Sequence, residues 1–148
     1  MEIITLKNRE KRSVLGQIAE EVKLEKVQEL VPEINKMKEL LESIDGLGLA
    51  MPQVGISQRC FIMKKGSKIL TVINPKILKR GSILAVSREG CLSVPGREYE
   101  KTRPRKIEVS YYNESGKLVL KKLTDMYACI FQHEFDHLDG KLISDDIA

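Results

Sequence analysis

The sequence predicts an α+β fold: mostly antiparallel sheets packed around a helix close to the C-terminus. Three patterns carry that expectation. Apolar residues recur at spacings of three and four over residues 32–44. They alternate with polar ones through the middle of the chain, and a helical stretch with capping signals returns over residues 124–138. The 148 residues suit a single domain, 1–148, with a core large enough to sustain itself.

The first 30 residues are highly charged and carry little pattern. A helix is predicted over residues 32–44, where Pro32 suits the first turn and Ile34, Met37, Leu41 and Ile44 form one stripe. Asp45 and Gly46 end it. Residues 46–55 hold three glycines and a proline, too many breakers for a helix, and read as a shaped loop or an irregular edge strand. Short strands follow near residues 59–63, 69–74 and 83–87. Ile107, Val109 and Tyr111 alternate with polar residues, as do Leu118 and Leu120 beyond a turn at 113–116. That pattern predicts a hairpin whose apolar residues share one buried face. In the last helix Thr124 or Asp125 is placed to cap the start, and Gly140 lies just past the end.

Composition excludes several classes. Hydrophobic residues form 42% of the chain and charged residues 31%, and no apolar run is long enough to cross a bilayer. The opening residues lack the pattern of a secretory signal, so a cytoplasmic location is expected. In that setting Cys60, Cys91 and Cys129 argue against a disulfide framework. The net charge of +4 is modest, with lysines scattered among acidic residues, and no specific nucleic acid or membrane partner is expected. A monomer is the expected state.

Residues 133–137 read His-Glu-Phe-Asp-His and contain both histidines of the chain. Positions i and i+4 share a helix face, so His133 and His137 can bind one metal ion, with Glu134 placed to act on a water beside it. A catalytic site of this kind needs a third protein ligand and an open position. Cys129 lies one turn before His133, but ligands on three successive turns span about 12 Å of helix axis, too far for bonds of about 2.0–2.3 Å. A buried or pocket-lining thiol suits Cys129 better, and a core strand position suits Cys60. Cys91 lies between Gly90 and Pro95 in a bent segment and is favoured as the third ligand, with a carboxylate as the alternative.

Three segments together are specific. Residues 46–53 read Gly-Leu-Gly-Leu-Ala-Met-Pro-Gln, residues 89–93 read Glu-Gly-Cys-Leu-Ser, and residues 132–137 read Gln-His-Glu-Phe-Asp-His. In this order they resemble the three motifs of the peptide deformylases, metalloenzymes that remove the formyl group from the N-terminal methionine of new proteins. The resemblance implies Cys91, His133 and His137 as metal ligands and Glu134 as general base. It implies that the Gln53 side-chain amide and the Leu92 backbone N–H stabilise charge on the formyl oxygen. It also implies one divalent ion, iron(II) in the cell, with nickel, cobalt or zinc able to replace it. Leu47, Cys129, Met126 and Ile130 are candidates for the methionine pocket, with core packing as the alternative for each. Gly48 is placed to pair with an extended substrate. Glu89 and Arg103 match positions of a supporting ion pair in the family, but such pairs usually contribute little and are not counted among the site residues.

Two departures stand out. Met51 replaces the family's usual second alanine and is expected to narrow or reshape the cleft. The sequence ends at Ala148, where many bacterial members continue into another helix, so a ribosome contact made by such a helix is not expected. Transient contact of another kind is compatible with a role on N-formylmethionyl nascent peptides. A zinc endopeptidase would share the two-histidine pattern, but the short domain and the cysteine argue against it.

Overall fold

A computed structural model describes residues 1–143. Its elements, in chain order, are α1 (Val27–Ser43), β1 (Gly48–Ala50), β2 (Cys60–Lys65), β3 (Lys68–Arg80), β4 (Leu84–Cys91), β5 (Val94–Pro104), β6 (Lys106–Tyr112), β7 (Leu118–Thr124) and α2 (Asp125–Leu138). Five strands form an antiparallel sheet in the order β1-β2-β3-β6-β7, and β4 and β5 form a separate antiparallel pair. The α+β expectation holds. The expected absence of a further helix after α2 falls on residues outside those described.

The two helices cover opposite faces of the five-stranded sheet, which explains why β2 is apolar at every one of its first four positions. Cys60 and Ile62 face α1, where Ile34, Met37 and Leu41 are fully buried with Leu49, Met51 and Ile73. Phe61 and Met63 face α2 and pack with Val72, Val109, Ala128 and Phe131. Phe61 and Phe131 meet edge to face with centroids 5.1 Å apart. Burying a side chain of this size contributes about 1.5–3 kcal/mol.

Several sequence expectations shift. Helix α1 starts at Val27 rather than Pro32, so the proline sits inside the helix. The carbonyl it leaves without an intrahelical donor belongs to Gln28, an exposed residue that water can reach. Strand β5 gave no clear signal, because most of its residues are polar or charged and it buries only Tyr99 and Arg103. In the β6–β7 hairpin, Ile107, Val109 and Tyr111 are buried as expected, but Leu118 and Leu120 are exposed. Their cross-strand partners are Tyr112 and Ser110, whereas Tyr111 and Ile107 face Val119 and Leu123. Directly paired residues share a face, so the buried face of β7 is the odd-numbered one. The 46–55 segment is an edge strand, as anticipated, followed by a 3-10 turn at Met51–Val54. Met51 points into the α1 core and is fully buried. It does not reach the cleft, and the expected narrowing does not occur.

Candidate active site

Helix α2 is held at both ends. Its start carries no side-chain cap: Thr124 makes no capping hydrogen bond, and the Asp125 carboxylate accepts from Arg105 Nε at 2.6 Å instead. At its end, Gly140 N–H donates to the His137 carbonyl and Lys141 N–H to that of Asp136, with Gly140 at φ +73°. This is a Schellman stop, which favours glycine. Arg59 reinforces it by donating to the Leu138 carbonyl and to Asp139 Oδ1, both at 2.9 Å. The turn carrying His137 is thereby fixed relative to β2.

On that helix His133 and His137 project together, and the β4–β5 turn brings Cys91 to them. One ligand atom from each of Cys91, His133 and His137 lies within 4.8 Å of the others. Cys91 Sγ and His137 Nε2 are 3.3 Å apart. Two donors on one tetrahedral ion with bonds of 2.0–2.3 Å stand about 3.5 Å apart, so the spacing fits a single cation. A thiolate and two imidazoles are a donor set for a borderline-soft divalent metal. Cys129 is not part of the cluster, and Cys60 is buried on β2, where burial pushes its thiol well up.

The charges around the cluster favour a cation. His133 Nδ1 lies 3.0 Å from Glu89 Oε1, which leaves Nε2 for the cluster. Arg103 grips Glu89 with two hydrogen bonds, Nε to Oε2 at 2.6 Å and Nη2 to Oε1 at 2.7 Å, and reaches Asp136 Oδ2 at 3.0 Å. Burial alone would raise the Glu89 carboxyl, but the bonds from Arg103 and His133 and the Arg103 charge hold it at about 2. Burial opposes protonation of His133, yet hydrogen bonds to Cys91 and Glu89 lift it to about 10. His137 moves the other way, pushed down by burial and by the neighbouring His133 and Arg103 charges.

Glu134 lies beside the cluster, 2% exposed, with Oε1 3.9 Å from His137 Nε2 and no hydrogen-bond partner for Oε2. Burial raises its carboxyl to about 7, partly offset by the charge of His133. Gly48 explains how it fits. A Cβ at Gly48 would stand 2.9 Å from both Cγ and Oε2 of Glu134, so the carboxylate rests directly on the β1 backbone. Gln53 follows in the 3-10 turn. Its Oε1 accepts from Ala50 N–H at 2.9 Å, while Nε2 donates to Ser93 Oγ at 3.2 Å and points at Cys91 Sγ at 3.7 Å. Leu92 occupies the β4–β5 turn, and its side chain packs with the α1 cluster.

An apolar cleft of about 410 Å³ opens next to Glu134 and His133, lined by Leu47, Gly48, Val86, Met126, Cys129 and Ile130 among others. The residues expected at a substrate pocket are therefore assembled. Sequence reading did not single out Val86, quoted Ser93 only within a motif and without a role, and set aside Glu89 and Arg103. That pair is about nine-tenths buried, which is what turns an ordinary surface pair into a support for His133. Among the described residues no helix is long and apolar enough to cross a membrane.

Comparisons with known proteins agree with this geometry. The family model for polypeptide deformylases matches residues 1–148. A peptide deformylase of Thermotoga maritima is 48% identical over 115 residues, covering 78% of this chain and 70% of that protein. A crystal structure of the peptide deformylase from that organism superposes with a TM-score of 0.89 at 42% identity, covering 97% of this chain and 95% of the other. A class I type b peptide deformylase from Acinetobacter baumannii with Met-Ala-Ser bound gives a TM-score of 0.89 at 28% identity, covering 98% and 96%.

Proposed function

Because the chain belongs to the polypeptide deformylase family, we propose that it hydrolyses the formyl amide of N-formylmethionyl peptides, with Cys91, His133 and His137 holding one divalent cation and Glu134 as general base. The observation that carries this reading is the convergence of those three donors, a buried unpartnered carboxylate and an apolar cleft at one point. A cation on those ligands would acidify a water and polarise the formyl oxygen. The donor set does not select among iron, nickel, cobalt and zinc; iron(II) is the reading for the cell.

The protein's own groups divide the remaining work. The methionine side chain enters the cleft between Leu47, Met126, Cys129 and Ile130, and the substrate backbone runs along Gly48, at the free edge of the terminal strand β1. Glu134 takes a proton from the attacking water. Burial makes the Glu134 carboxylate a better proton acceptor, which suits both taking that proton and returning it to the departing amine. Charge that develops on the formyl oxygen meets the Gln53 Nε2–H and the Leu92 backbone N–H. Gln53 is held in place for this by its Oε1 on Ala50 N–H, and one Nε2–H turns from Ser93 Oγ or Cys91 Sγ to the formyl oxygen. The Met-Ala-Ser found in the Acinetobacter relative is what hydrolysis of formyl-Met-Ala-Ser would leave. In this reading residues 1–148 act as one monomeric catalytic domain on nascent peptides in the cytoplasm.

Release of formate from formyl-Met-Ala-Ser tests the proposal, using protein loaded anaerobically with iron or nickel beside Glu134→Ala. Formate from the wild type alone, with metal retained in both, is expected. Equal activity of the two proteins would remove Glu134 from its role, and an inactive metal-loaded wild type would overturn the reaction assignment.

A further inference from the structure

The N-terminal segment, which gave no functional signal in the sequence, ties together the two loops that the reaction needs. Ile4 N–H donates to the Gln53 carbonyl at 2.7 Å, and Leu6 N–H donates to the Ser93 carbonyl at 2.9 Å. Leu6 stands where the chain enters a turn closed by Asn8 N–H on the Thr5 carbonyl, so one short stretch reaches acceptors on two different loops. Those loops belong to different sheets. Gln53 follows β1 of the five-stranded sheet and Ser93 ends the turn of the β4–β5 pair, and the two sheets share no ladder. Away from the turn, β5 is tied to α2 through Arg103–Asp136 and through Gln132 Nε2 on the Pro104 carbonyl.

The segment is itself anchored. Ile4 is 4% exposed and packs with Leu15 and Leu142, with Leu6 and Val94 against them. Ile3 packs toward the α1 cluster that also takes Val54 and Leu92. Arg12 Nη1 donates to the Leu6 carbonyl at 3.2 Å. None of residues 3–6 lines the cleft.

We propose that residues 3–6 are a positioning strap that sets the distance between the Gln53 amide and the Cys91–Leu92 turn. The inference rests on the reading of Gln53 and Leu92 as donors to the formyl oxygen. A strap of this kind acts on turnover and not on substrate affinity, because it holds groups that meet developing charge and touches no part of the cleft.

The test compares Leu6→Pro, which deletes the N–H, with Leu6→Ala, which keeps it and trims the side chain. Both are prepared as full-length, nickel-loaded protein. Relative to Leu6→Ala, Leu6→Pro is expected to lower kcat on formyl-Met-Ala-Ser by about tenfold or more, as misplacing reacting groups by about 1 Å does, with KM within about twofold. Nickel transfer to an external chelator, which needs no activity, is expected to be severalfold faster in Leu6→Pro, because the Cys91 turn is loosened. Equal kcat and equal nickel release in the two variants would overturn the strap while an active wild type leaves the deformylase reading standing. An inactive wild type would overturn that reading and the strap's effect on turnover with it. Should Leu6→Pro fail to fold, amide hydrogen exchange on the wild type decides the matter: protected Ile4 and Leu6 amides support the strap, and freely exchanging ones overturn it.

Discussion

Replacing Glu89 by Gln should destabilise the protein by about 3 kcal/mol at pH 7, and the loss should shrink as the solution is acidified. The magnitude follows from the carboxyl itself. Its pKa falls from 4.5 in the unfolded chain to about 2 in the fold, and one unit corresponds to about 1.36 kcal/mol. A depressed folded-state pKa means that the unfolded chain binds the proton more readily. The contribution is therefore complete above about pH 4.5 and disappears as the pH falls toward 2. A glutamine keeps an acceptor for Arg103 or His133, so about 3 kcal/mol is an upper value. It is still a large share of the ~5–15 kcal/mol that holds an ordinary domain together. Urea unfolding of wild type and Glu89→Gln, with chelator in both, should separate the curves at pH 7 and bring them together near pH 2. Metal affinity should also fall, by about 10–100-fold, because His133 loses the carboxylate that orients its ring. Curves that coincide within about 0.5 kcal/mol at pH 7 would refute the claim that this buried pair supports the fold.

Gly48→Ala should leave the fold intact but lower kcat by about 100-fold, because the new methyl group occupies the space of the Glu134 side chain; steady-state formate release checks it. Met51→Ala should cost about 2–5 kcal/mol of stability in thermal or urea unfolding through a cavity beneath α1, with KM unchanged because Met51 is remote from the cleft. Leu120→Lys should change stability by no more than about 0.5 kcal/mol, since the side chain is 68% exposed. The same substitution at Leu123, which is buried in the α2 core, should unfold the protein, and circular dichroism would separate the two.

Some of this molecule was legible from residue order alone. The i, i+4 spacing of His133 and His137 puts both rings on one helix face whatever surrounds the helix, and Gly140 marks its stop through a backbone preference that needs no partner. The stripe of Ile34, Met37 and Leu41 likewise follows from helical period. These are local properties. The third ligand was different: Cys91 was favoured by its bent segment and by resemblance, and only the β4–β5 turn brings its sulfur to within 3.3 Å of His137. The apolar stripes were legible, but several individual burials were not. Burial reversed the weight of Glu89 and Arg103, sent Met51 into the core, and chose the face of β7, because a strand's pattern states which residues alternate but not which side meets a helix. The strap was invisible for the same reason. Its hydrogen bonds run from backbone N–H groups at Ile4 and Leu6 to backbone carbonyls about 50 and 90 residues away, and a backbone amide leaves no mark in the sequence.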